Sequence, residues 1–81
     1  MRLVFSKRFV REYGKLTPAL QSQVDKALEL LEENPQHPSL RTHKRKDDNT
    51  VWQTRVTRSY RMLFEMEAGV ITVLSVMPHE K

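Results

Sequence analysis

Trp52-Gln53-Thr54-Arg55-Val56-Thr57-Arg58-Ser59-Tyr60-Arg61-Met62-Leu63-Phe64 is the stretch that decides the fold. Polar and apolar residues alternate on both sides of a turn at Thr57-Arg58-Ser59, the pattern of two half-buried strands joined as a hairpin. Paired about Arg58, Trp52 faces Phe64, Thr54 faces Met62 and Val56 faces Tyr60 on one side of the sheet. Gln53 faces Leu63 and Arg55 faces Arg61 on the other. A register shifted by one residue mixes the two faces, so the apolar pattern itself selects this pairing. Like charges directly opposite one another destabilise a sheet. An arginine pair kept there points to an anion, and Arg55 with Arg61 reads as the floor of a phosphate site; two solvated, splayed arginines are the plain alternative.

Upstream, Arg2 to Phe5 is a short β-prone run, and Ser6 is placed to cap a first helix carrying Phe9, Val10 and Tyr13 and ending at Gly14. Thr17-Pro18 restarts the helix with a capping hydroxyl followed by proline at the first helical position. Leu20, Val24, Ala27, Leu28 and Leu31 then form one buried stripe, and Asn34-Pro35 ends it. Residues 35–50 are polar and aperiodic with two prolines, which predicts a surface loop wrapping toward the sheet. Downstream, Glu67-Ala68-Gly69 reads as a second turn. Val70, Thr72, Leu74 and Val76 then continue the apolar face opposite Met66, Phe64, Met62 and Tyr60, with Ser75 across from Arg61. Pro78 closes this last strand and leaves His79 at the sheet end that holds Arg61. The expected fold is α+β, in one domain over 1–81. A short N-terminal strand and two helices precede a three-stranded antiparallel meander, and the helices cover one face of a twisted sheet. On the other face this register gathers Leu63, Ile71 and Val73 beside the arginines, an apolar patch that calls for a protein partner.

The chain has 81 residues, 38% hydrophobic and 30% charged, without cysteine, so it must fold on one small core with no disulfide staple. No apolar run approaches the roughly 20 residues that span a bilayer, and Met1-Arg2-Leu3-Val4-Phe5 is too short for a signal peptide, which predicts a cytoplasmic protein with no membrane contact. The net charge is +4, unevenly distributed. Arg41, Lys44, Arg45, Lys46, Arg55, Arg58 and Arg61 outnumber Asp47 and Asp48 between positions 41 and 61, giving that segment +5 and the remainder −1. Such a concentrated basic face suits a nucleic-acid or phosphate ligand.

Arg41, His43, Lys44, Lys46, Arg55, Arg61 and His79 are expected to converge at one end of the sheet. This set holds no carboxylate pair, no Ser-His-Asp arrangement, no cysteine nucleophile and no glycine-rich phosphate loop. What remains is phosphodiester chemistry in which the substrate supplies the nucleophile. RNA does so through its 2′-hydroxyl, provided that a base takes the proton and cations meet the added negative charge. Arginine binds phosphate oxygens through a planar fork that never loses its charge, and histidine transfers protons near neutrality. His37, His43 and His79 lack the paired spacing of metal ligands, so neither a metal nor a cofactor is expected.

With Ser39-Leu40-Arg41 in the basic loop, Trp52-x-x-Arg55-Val56-x-x-x-Tyr60-Arg61-Met62-Leu63-Phe64, and Val73-Leu74-Ser75-Val76-x-Pro78-His79-Glu80, the chain resembles the RelE/ParE superfamily of bacterial toxin-antitoxin toxins over essentially its whole length. The resemblance implies a RelE-like fold and an antitoxin that covers the basic groove and the Leu63, Ile71, Val73 patch. It implies one of two activities: metal-independent cleavage of mRNA on the ribosome, which inhibits translation, or inhibition of DNA gyrase. A non-catalytic, attenuated nucleic-acid- or antitoxin-binding module is the third possibility. In the first case Arg61 matches the phosphate-stabilising arginine, Arg55, His43 and His79 complete the catalytic set, and Arg41, Lys44, Arg45, Lys46, Gln53 and Arg58 hold RNA. Gln53 departs from the basic residue common at its position. Many relatives also carry an aromatic residue several positions beyond the point at which this sequence ends, so either His43 and His79 transfer the protons or the chain is a weakened or truncated form.

Overall fold

The computed structural model describes residues 1–79. Strand β1 (Arg2–Phe5) leads into helices α1 (Lys7–Gly14) and α2 (Pro18–Glu33). A 3-10 turn at Pro38–Leu40 follows, and then β2 (His43–Lys44), β3 (Trp52–Arg55), β4 (Tyr60–Glu67) and β5 (Val70–Pro78). The sheet runs β1-β5-β4-β3-β2, with β1 parallel to β5 and every other pair antiparallel. The class is the α+β one expected, with one more strand, the two-residue β2, than the meander predicted. Among the described residues no helix is long and apolar enough to cross a membrane.

The helix starts are where their caps put them. Ser6 Oγ accepts from the Phe9 amide at 3.0 Å, and Thr17 Oγ1 accepts from that of Leu20 at 3.2 Å ahead of Pro18. Val24, Ala27 and Leu31 of α2 and Phe9 of α1 pack on Met62, Phe64, Ile71, Val73 and Val76 in one cluster. The Trp52 ring stacks on Phe64 with centroids 6.5 Å apart. Leu40 also joins the core, so the surface loop expected to wrap toward the sheet is pinned to it by a buried side chain. Its carbonyl accepts from the buried Thr54 hydroxyl at 2.9 Å, which fixes the chain just before Arg41 onto β3.

The β3–β4 register is the predicted one, down to Arg55 opposite Arg61. The β4–β5 register is not. Ala68 and Gly69 alone make the turn, both at positive φ (50° and 81°) as a two-residue I′ hairpin loop requires. Glu67 therefore pairs with Val70, and the residues from Val70 to Val73 change face. Ile71 and Val73 lie opposite Met66 and Phe64 in the core, fully buried, and the predicted surface patch with Leu63 does not exist. An irregularity at Leu63/Phe64 leaves Leu74 unpaired and returns Val76 to the core opposite Met62. Ser75 consequently faces Leu63, and Met77 is the residue across from Arg61.

Beyond the end of β1, helix α1 takes over the exposed edge of β5. Ser6 donates its hydroxyl to the Leu74 carbonyl at 2.7 Å. Glu12 Oε1 accepts from the Val76 amide at 3.1 Å and from the buried Ser75 hydroxyl at 2.8 Å, while Oε2 meets Arg8 Nε at 3.3 Å. Glu12→Ala strands two buried donors, and we expect it to cost about 1–3 kcal/mol. In a domain of this size the melting temperature then falls by about 4 °C or more. Glu12→Gln retains an acceptor oxygen and should recover most of that loss. Arg8→Ala, which removes only an exposed ion pair, should change it little. Thermal unfolding of the three variants checks the assignment, and equal losses from Arg8→Ala and Glu12→Ala would contradict it.

Candidate functional site

The β3–β4 hairpin places Arg55 against Arg61, and β2 places His43 opposite Gln53 one step along the same ladder. The turn between β3 and β4 is shaped by Thr57, whose Oγ1 accepts from the amides of Ser59 and Tyr60, each at 3.1 Å. His79 is fastened to this turn by its own amide, which donates to the Ser59 carbonyl at 2.6 Å. These elements enclose a cleft of about 380 Å³ lined by Arg41, His43, Gln53, Arg55, Thr57, Arg58, Arg61 and His79. Five of the seven residues expected to converge do so. Lys44 and Lys46 line an adjoining cleft instead, and Lys44 Nζ sits 5.2 Å over the Trp52 ring. Leu63 is half-buried, and Ile71 and Val73 contribute to the core alone.

Among the described residues no carboxylate pairs with Arg55 or Arg61; the ion pairs are Arg8–Glu12 and Arg45–Asp47. Arg61 is braced by neutral groups. Its Nη1 donates to Gln53 Oε1 at 3.2 Å, its Nη2 lies 3.8 Å from Met77 Sδ, and its buried Nε–H has no hydrogen-bond partner among the described residues. The same Gln53 oxygen accepts from Arg45 Nη1 at 3.4 Å. Arg45 in turn grips Asp47 through two bonds, Nε to Oδ1 at 2.8 Å and Nη2 to Oδ2 at 3.0 Å. Those hydrogen bonds hold the Asp47 carboxyl below the usual carboxylate range, helped by the charge of Arg45 and, less, of Arg61. A glutamine between two guanidiniums accepts from both without cancelling either charge. Gln53, the departure from the basic type, thus orients the two arginines.

The two histidines of the loop have opposite proton arrangements. His43 Nδ1 lies 3.0 Å from the Arg41 carbonyl, which can only accept. Nδ1 therefore carries the hydrogen, and in the neutral ring Nε2 is the basic nitrogen. His37 Nδ1 instead accepts from the Ser39 amide at 3.2 Å and caps the 3-10 turn, so His37 is structural and lies outside the cleft. Arg41 follows that turn with a left-handed backbone, φ 49°, a conformation few non-glycine residues adopt. Among the described residues no three His, Asp or Glu side chains gather as metal ligands.

Sequence reasoning missed Thr57, Met77 and the role of Asp47. A Thr-x-Ser turn was a fair sign of the first. The other two depend on a register shift and on a loop contact that no periodicity announces. A larger open cleft of about 680 Å³ at the other end of β4 mixes Lys44, Glu65 and Glu67 around Trp52. Opposite charges there leave no convergent field, so the smaller cleft, lined by arginines and histidines and by no acidic residue, is the candidate site.

A family model described as a ParE-like toxin domain matches residues 18–81. Comparison with curated proteins gives no match. Among solved structures, the YoeB/ParE toxin from Agrobacterium tumefaciens superposes with a TM-score of 0.81 at 19% identity, over 99% of this chain and 100% of that one. The E. coli RelBE toxin-antitoxin complex gives 0.77 at 25% identity over 99% and 98%. The archaeal RelE-RelB complex from Pyrococcus horikoshii gives 0.79 at 20% over 95% and 92%. On the matched family model and this shared fold, the chain belongs to the ParE-like toxin domain family, within the RelE/ParE toxin superfamily.

Proposed function

We propose that this protein is the toxin of a type II toxin-antitoxin pair and cleaves mRNA on the ribosome, in the cytoplasm, without a cofactor. The observation that carries the reading is the opposed pair Arg55 and Arg61, unneutralised by any described carboxylate and set in one cleft between His43 and His79. In this reading His43 Nε2 takes the proton of a ribose 2′-hydroxyl and the 2′-oxygen attacks the adjacent phosphorus. Arg61 and Arg55 stabilise the extra negative charge of the pentacovalent phosphate. The bond to the 5′-oxygen then breaks as His79 donates a proton to it, leaving a 2′,3′-cyclic phosphate and a 5′-hydroxyl. The carbonyl of Arg41, which fixes the tautomer of His43, also supports the imidazolium formed in the first step. Arg41 and Arg58 at the cleft rim hold the RNA backbone.

A second reading comes from the description of the family model itself, since ParE-like toxins inhibit DNA gyrase and need the fold but no proton-transfer groups. The antitoxin partner is inferred from the superfamily and from solved relatives that are toxin-antitoxin complexes. An acidic segment lying over the basic cleft would neutralise Arg55 and Arg61 where the chain itself does not.

Primer extension on translated mRNA should show cleavage by the wild type and a loss of about 3 kcal/mol of transition-state stabilisation, roughly 10²-fold, in Arg61→Ala. His79→Gln and His43→Gln should each retain ribosome binding and cut the rate on the order of 10²-fold. Intact mRNA together with blocked supercoiling in a gyrase assay would replace this reading with the second. Coexpression with the product of the neighbouring reading frame should yield a tight complex with a raised melting temperature. A frame whose product leaves the melting temperature unchanged is not the antitoxin.

A further inference from the structure

The basic cleft does not end at Gln53. A second cleft of about 340 Å³, lined by His43, Lys44, Arg45, Lys46, Asp47 and Gln53, adjoins it, and His43 and Gln53 line both. One continuous groove therefore runs from His79 and Arg61 past Gln53 to Arg45 and Lys46. A groove with cations at both ends suits an extended polyanion better than a single anion, whose charge one lobe already satisfies.

The two neighbouring acidic residues of this loop do different things. Asp48 serves the backbone: its Oδ1 accepts from the Thr50 amide at 3.0 Å and hydroxyl at 2.7 Å, and its carbonyl accepts from the Val51 amide at 3.2 Å. Asp47 is turned the other way: its two oxygens occupy the fork of Arg45, with its own amide as a further, weaker support for the carboxylate. A carboxylate gripped through two parallel N–H···O bonds is the geometry in which a guanidinium also takes a phosphate. The Arg45 side chain is 22% exposed and held in place, while that of Asp47 is 68% exposed. The exposed carboxylate can return to water while an incoming phosphate makes the same two bonds to the fixed guanidinium, so the exchange trades one bidentate pair for another.

We propose that this second cleft is a phosphate subsite for the neighbouring nucleotides of the same RNA strand, in which Asp47 occupies the Arg45 fork until a phosphate takes its place. The inference rests on the reading of the first cleft as a phosphodiester site. It makes Asp47 a built-in competitor at the second lobe: an isolated anion meets an occupied fork there, whereas a strand already anchored in the first lobe presents its next phosphate at high effective concentration and displaces the carboxylate.

The test uses uncleavable 2′-O-methyl RNA, a dinucleotide for the first lobe and a hexanucleotide for both, with dissociation constants measured over a range of salt for the full chain. The readout is the ratio of the two affinities, because any effect of Arg45 transmitted through Gln53 to Arg61 weakens both probes and cancels. Arg45→Ala should lower the preference for the hexanucleotide about tenfold and make its salt slope shallower by about 0.7, one phosphate contact. Asp47→Asn should raise that preference about threefold. Arg61→Ala should weaken both probes alike and leave the ratio near the wild-type value. A ratio unchanged in both Arg45→Ala and Asp47→Asn would overturn the subsite while leaving the first cleft standing. A wild type that binds neither probe would overturn the phosphate reading of the first cleft, and the subsite with it.

Discussion

Two guanidiniums opposed across one antiparallel pair are the constraint around which the functional end of this molecule is arranged. Like charges at such a position cost a sheet on the order of 0.2–1 kcal/mol. The neighbours answer that repulsion without discharging it. Gln53 and Met77 brace Arg61 with an amide oxygen and a thioether, so the guanidinium is fixed while its charge stays available. The Thr57 turn and the bond from the His79 amide to Ser59 close the end of the cleft. Thr54, through the Leu40 carbonyl, ties down the loop that delivers Arg41 and His43. Each contact holds a cation or an imidazole in place without putting a carboxylate next to it.

How far this was legible in the sequence follows from which signals were local. The β3–β4 register could be read because one face of that hairpin is apolar and the other is not, so only one pairing keeps the faces apart. The caps at Ser6 and Thr17-Pro18 and the α2 stripe depend on near neighbours and were equally plain. Strand β5 gave no such choice. Val70, Leu74 and Val76 on one alternation and Ile71 and Val73 on the other are all apolar, so periodicity cannot tell which set is buried. The decision fell to the turn, where a two-residue loop with both residues at positive φ, in place of a three-residue one, moved Val70 to Val73 by one. The irregularity at Leu74 then hid the error from anyone counting Val76 back into the core. In the site, Arg41, His43, Arg55, Arg61 and His79 were foreseeable because strand pairing and chain order place them at one end. Asp47 on Arg45 was not, because a contact between loop residues two apart obeys no period.

The fold is shared with proteins from bacteria and archaea at 10–25% identity among the solved structures that match over nearly all of both chains. Architecture at that distance fixes where strands and helices lie and leaves the chemistry to individual side chains. In this chain those side chains are a glutamine joining two arginines, a histidine whose tautomer is set by a backbone carbonyl, and a basic loop whose aspartate fills one guanidinium fork. Together they describe a basic groove whose arginines are held by neutral braces, the groove that the proposed function fills with RNA.

The central claim is that Arg55 and Arg61 form a joint anion site, and thermal unfolding in phosphate against chloride at equal ionic strength and pH tests it most directly. Phosphate stabilises most proteins through exclusion from their surface, so the informative quantity is the difference between the wild type and Arg55→Gln. The account predicts that the wild type gains several degrees more than the variant, a gain that saturates with phosphate as site binding must. Equal gains in the two proteins, rising without saturation, would contradict it.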